Sequence, residues 1–195
     1  MAHRSPAPPP PPLAAILCSL AFLAAGCADA PRRGMAASAE YLTAHTNPAL
    51  REAVTVTAVQ GGDSGRSGIP WVSRGDFEKA LVDSLHRAGY LAPSAGEVRY
   101  ALEADVLEAT IENSDRPFRY LDTEENVTTT IRYRLMDRER GVTLLDRRIE
   151  VPYHAANSTG FLTATRIRAA DEGSARESIE ALIDELDRLQ VREGE

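Results

Sequence analysis

Val127-Thr128-Thr129-Thr130-Ile131-Arg132-Tyr133-Arg134-Leu135 sets Val127, Thr129, Ile131, Tyr133 and Leu135 in alternation with Thr128, Thr130, Arg132 and Arg134. Successive side chains of a strand point to opposite faces, so this run is a strand with one face in a core and one in water. Asp137 to Gly141 supplies a hairpin turn, and Leu145, Ile149, Val151 and Tyr153 continue as the partner strand. Upstream, Tyr100, Leu102, Ala104 and Val106 alternate before the apolar phase moves to Leu107, Ala109 and Ile111. A slip of one residue predicts a β-bulge near Val106 and Leu107. A connection from about Asn113 to Glu125 joins this strand to the first.

Further out, Val54-Thr55-Val56-Thr57-Ala58-Val59 is a β-branched run ended by Gly61-Gly62. Ser73 and Asp76 then form a capping box, with Val72 and Phe77 spaced as a hydrophobic staple. Phe77, Ala80, Leu81, Leu85 and Ala88 make one apolar helical stripe, and Gly89 stands where a helix stops. Ala175, Ile179, Leu182, Leu186 and Leu189 step by 4, 3, 4 and 3 through a second helix. That helix starts at a Ser174/Glu177 capping box, or earlier near Thr165 with a weak point at Gly173. Two heptads are too short for a coiled-coil seam, so this stripe is expected to pack on the sheet. The order β-α-β-β-β-α predicts an α+β fold, an antiparallel four-stranded sheet with two amphipathic helices packed on one face.

The chain has 195 residues, 43% of them hydrophobic, and a net charge of −7. The apolar fraction excludes a disordered chain, and the acidic balance argues against nucleic-acid binding. At the N-terminus, Leu13 to Ala25 is an apolar run too short to span a bilayer, but it suits the hydrophobic region of a secretory signal. Leu23-Ala24-Ala25-Gly26-Cys27 follows and resembles the bacterial lipobox, in which the cysteine is lipidated and becomes the first residue. Ala28 after it resembles an outer-membrane sorting signal. The expected organisation is a signal peptide over 1–26, a lipidated N-terminus and flexible tether over 27–47, and one periplasmic domain over 48–195. Cys18 leaves with the signal and Cys27 carries acyl chains, so neither thiol serves the fold or a catalytic site.

No catalytic set or metal site emerges, and no cofactor is expected. Gly62-Asp63-Ser64-Gly65 and Leu42-Thr43-Ala44-His45 echo trypsin-like protease motifs, but they lie too close together in sequence for that double barrel. The glycine-rich loop lacks the Gly-Lys-Ser/Thr ending of a phosphate cradle. Of the four histidines, only His154, at a strand end, sits where a structured polar site is expected. Arg132, Arg134 and Arg148 should share the exposed sheet face. They are either a cationic platform for anionic lipid or a solvated face blunted against aggregation by charge. Trp71, before the first helix, and Phe118, Tyr120 and Leu121, in the long connection, are large side chains with no periodic reason for burial. They are the candidate partner-binding residues, against the alternative that they fold back over the core.

Gly68-Ile69-Pro70-Trp71 leading into Phe77–Tyr90, the strand Val127–Asp137, and Arg166-Ile167-Arg168-Ala169-Ala170-Asp171-Glu172-Gly173 resemble a family of small proteobacterial outer-membrane lipoproteins. Some members carry an acyltransferase label for the lipid A pathway, but the hexapeptide repeats of those enzymes do not occur here. The topology is also similar to the lipoprotein that plugs the lipopolysaccharide translocon and to auxiliary lipoproteins of lipid transport. The anchor, the compact core and the lack of a catalytic set lead to the expectation of a non-enzymatic role in envelope assembly or transport, on the periplasmic face of the outer membrane, docked to a larger membrane protein. The alternative is a lipid- or glycolipid-binding module using the arginine face.

Overall fold

The computed structural model describes residues 33–42, 47–62, 73–94, 98–113, 125–155 and 163–191. The elements are a short helix α1 (Ala39–Leu42), β1 (Val54–Gly61), α2 (Arg74–Arg87), β2 (Tyr100–Asn113), β3 (Glu125–Asp137), β4 (Val142–Ala155) and α3 (Thr163–Arg188). The four strands lie side by side in the order β1-β2-β3-β4. Phe77, Leu81 and Leu85 of α2 and Ile179, Leu182, Ile183 and Leu186 of α3 share one buried cluster with Leu102, Ile131, Tyr133 and Leu135 of the sheet. The α+β architecture, the strand count and the two helices on one face are as the periodicity predicts.

One relationship departs from the expected antiparallel sheet: β1 pairs with β2 in parallel, Val54 opposite Tyr100 and Val59 opposite Ala104. The reason is the intervening helix. The 14 residues of α2 rise about 21 Å and carry the chain back to the end where β1 began. The strand that follows must therefore run the same way as β1. Hairpin reasoning applies only to β2–β3 and β3–β4, which are antiparallel.

The bulge falls where the phase slip places it, between Val106 and Glu108 in the β2–β3 register. Leu107 is the extra residue and is 48% exposed, so it does not join the apolar face as its place in the pattern suggests. Ala109 does join it and is buried.

The Ser73 hydroxyl accepts the Asp76 amide at 3.1 Å and donates to the Asp76 carboxylate at 2.7 Å. At the other end of α2, Gly89 takes φ 75°. Its amide donates to the His86 carbonyl and the Tyr90 amide to the Leu85 carbonyl, which completes a Schellman closure. α3 starts at Thr163, close to the earlier of the two expected positions, and runs unbroken through Gly173 for 26 residues. Ser174 is not a cap: its hydroxyl accepts the Thr129 amide of β3 at 3.1 Å and donates to the Val151 carbonyl of β4 at 2.7 Å. It locks the helix onto both strands. Gly173 beside it leaves space for the Tyr153 ring, since a Cβ there would lie 2.4 Å from that ring.

Residues 33–42, which fall within the expected tether over 27–47, pack against the domain. Met35, Ala37 and Leu42 are buried in the main core. The Ala37 amide donates to the buried Ser84 hydroxyl at 3.0 Å, and the Tyr41 hydroxyl to the Glu180 carbonyl at 3.0 Å. Asn47 closes the segment. Its amide group donates to the Leu186 and Leu189 carbonyls at 2.9 and 2.8 Å, where α3 runs out of internal donors. Alanine-rich sequence reads as linker, but these small side chains let the backbone lie close against the helices.

Candidate functional site

The outer sheet face does bring Arg132, Arg134 and Arg148 together, with Arg132 directly opposite Arg148 across the β3–β4 register. Acids stand among them. Arg132 holds Asp146 through two bonds of 2.7 and 2.6 Å. Arg134 donates to Glu103 at 3.3 Å and stands 3.9 Å from Asp146. The Arg132 hydrogen bond holds the Asp146 carboxyl below its usual range, against some opposition from burial, with the charges of Arg132 and Arg134 adding to it. A shallow groove of about 170 Å³ is lined by Gln60, Glu103, Ala104, Asp105, Arg132 and Arg134. Its acids stand beside its bases, so the charges of Arg132 and Arg134 are largely neutralised from within the face. Arg148 is exposed and makes no ion pair among the described residues.

Cys27, Trp71, Phe118, Tyr120 and Leu121 lie outside the described residues. The elements that flank the last four are described. Residues 114–124 connect the end of β2 to the start of β3, and residues 63–72 connect the end of β1 to the start of α2. Because β1 and β2 are parallel, both connections leave the sheet at the same end. His86 is exposed near the C-terminal end of α2, toward the opposite end, and His154 is exposed on β4. Among the described residues, no three His, Cys, Asp or Glu side chains stand close enough to hold a metal ion. No helix among them is long and apolar enough to cross a membrane.

Two polar clusters escaped the sequence reading. Asp137 is fully buried at the β3–β4 turn, where it accepts the Glu139 and Arg140 amides at 3.0 and 3.2 Å and the Arg99 guanidinium at 3.0 Å. Burial works to raise its pKa, but Arg99 and the two amides outweigh it and hold the carboxyl below the ordinary 3.8. A carboxyl lowered in the fold adds stability above its unfolded value and loses it as pH falls through the folded value. Asp137→Asn is therefore expected to destabilise the protein by roughly 1–3 kcal/mol at neutral pH. The deficit against wild type should shrink as pH drops below 3.8. Paired denaturant titrations across that range check this, and a pH-independent gap would refute it. The second cluster joins the Asn47 amide to the Tyr90 hydroxyl at 3.1 Å and that hydroxyl to Asp187 at 2.8 Å. Burial pushes the Tyr90 phenol up, so it stays a donor. Aspartate and glycine at a turn signal the first cluster, but nothing local signals the second.

No family model and no curated protein matches the chain. Solved structures do. A Xanthomonas campestris protein of the DUF330 family is 14% identical with a TM-score of 0.49, over 70% of this chain and 86% of its own. A hypothetical protein from Chlamydia trachomatis is 12% identical with a TM-score of 0.44, over 68% and 91%. A Caulobacter crescentus protein assigned as a lipoprotein is 14% identical with a TM-score of 0.42, over 76% and 91%.

Proposed function

We propose that this is a lipid-anchored periplasmic domain of the outer membrane that works by binding rather than catalysis, docking a larger membrane complex that serves envelope assembly or transport. The observation that carries the reading is Leu23-Ala24-Ala25-Gly26-Cys27 at the end of an apolar run of signal-peptide length. The family resemblance of the Gly68–Trp71 and Arg166–Gly173 stretches supports it. The alternative, glycolipid binding on the arginine face, is disfavoured because Arg132 and Arg134 already hold Asp146 and Glu103.

Two measurements test the two halves. Cys27→Ser should abolish acyl labelling and leave the precursor uncleaved by the lipoprotein peptidase, and normal processing would refute the anchor. Photo-crosslinkers at Trp71, Phe118 and Tyr120, with His86 as control, should trap one membrane protein in living cells. Lipid adducts alone, or nothing above the His86 control, would overturn the docking role.

A further inference from the structure

We infer that the end of the domain where α3 begins rests on the bilayer surface, with the β3–β4 turn pointing away from it; this rests on the lipid anchor at Cys27 argued above. The first ground is where the chain from Cys27 arrives. Gly34 lies against the first half of α3: its carbonyl accepts from Arg176 at 3.4 Å, and a Cβ on it would meet the Glu172 carboxylate. From there the segment runs parallel to the helix. The Ser38 amide reaches Glu180 at 2.9 Å, and Asn47 reaches Leu186 and Leu189. The chain thus meets the body of the domain nearer the start of α3 than its end. At that end β2 finishes, β3 starts and β4 finishes.

The second ground is reach. Six positions separate Cys27 from Arg33 (33 − 27), and a fully extended chain covers about 3.5 Å per residue, or about 21 Å. α3 alone, at 26 residues, is about 39 Å long. The anchor therefore holds the part of α3 near Glu172 and Arg176 within about 21 Å of the lipid. What remains is whether the domain stands on that end or lies flat along α3.

Charge decides between them. Residues 163–176 of α3 hold Arg166, Arg168 and Arg176 against Asp171 and Glu172. Residues 177–188 hold Glu177, Glu180, Asp184, Glu185 and Asp187 against Arg188 alone. A helix dipole favours acids near the N-terminus and bases near the C-terminus. This distribution runs the other way, and the first turn has no acid, so helix stability does not account for it. An anionic phospholipid surface does: Arg166 is buried and Arg168 holds Glu172 at 2.9 Å, so the first half is close to neutral, with Arg32 and Arg33 next to Gly34 in sequence, whereas the half with five acids is repelled. Lying flat would press those acids onto the headgroups.

The test uses the full lipidated protein in vesicles of phosphatidylethanolamine and phosphatidylglycerol. Acylation occupies the Cys27 sulfur, so an introduced cysteine is the one free thiol for a fluorophore. It is placed at exposed Thr165 at the near end (Thr165→Cys), or at His86 or Val142 at the far end (His86→Cys, Val142→Cys). With a nitroxide-headgroup lipid in the vesicles, Thr165 should lose most of its emission and His86 and Val142 little. Equal quenching, or stronger quenching at either far-end site, would overturn the orientation. Vesicle flotation separates the two readings. Protein that floats but shows the wrong quenching pattern sinks the orientation alone, whereas protein that fails to float sinks the anchor and the orientation with it.

Discussion

Gly173→Ala is expected to destabilise the fold by about 2–3 kcal/mol, although alanine is the better helix former by about 1 kcal/mol. The propensity gain is overridden because the new methyl would sit 2.4 Å from the Tyr153 ring. That ring is not free to swing aside. Arg176 stacks over it at 5.7 Å from the centroid and donates to its hydroxyl at 3.3 Å. Either the ring gives up both contacts or α3 lifts away from β4, where Ser174 is bonded to Val151. In a protein of this size each kcal/mol moves the melting temperature by about 2–4 °C, so the drop should be about 4–12 °C. Tyr153→Ala should remove most of the penalty when combined with Gly173→Ala, and the double-mutant cycle reads that coupling directly. A single variant that melts at or above wild type would show that Tyr153 does not occupy the notch.

Asn47 is the second position where a small change should be costly. Its side chain satisfies two carbonyls at the end of α3 and accepts the Ala49 amide at 3.1 Å. Asn47→Ala removes all three bonds and leaves two helix carbonyls without this donor, for about 2–3 kcal/mol. Asn47→Asp should be worse at neutral pH. It turns a donor into an acceptor, and places a negative charge against the negative end of the helix dipole. The order wild type, alanine, aspartate in chemical denaturation checks this, together with faster amide exchange across residues 33–42 in both variants. Equal stability of the alanine and aspartate variants would mean that Asn47 fills space and does not cap.

The elements that were legible from sequence are those whose signal is local. The Ser73 cap, the Gly89 stop, the phase slip at Val106 and the hairpin at Asp137–Gly141 each rest on a few neighbouring residues, and the structure places each of them there. What was misread depends on distant parts of the chain. The parallel pairing of β1 follows from the path of α2 and not from the β1 sequence. The docking of residues 33–42 depends on a groove built from Ser84 and α3. The same holds for the candidate site. Alternation placed Arg132, Arg134 and Arg148 on one face correctly, but it did not reveal that Asp146 and Glu103 would arrive beside them from neighbouring strands.

The docked N-terminal segment also bears on when this chain can fold. Ser38 bonds to a residue 142 positions later, and so does Asn47. β1 cannot pair until α2 and β2 have been made, and the core stays open until α3 closes it. Such long-range closure slows folding, because the loop entropy must be lost before the contacts compensate for it. The native core is therefore completed only when nearly the whole chain is available, although the β2–β3–β4 meander is local in sequence. Under the anchor proposed for Cys27, the acceptor cysteine would be presented to the processing enzymes on a polypeptide that has not completed its fold.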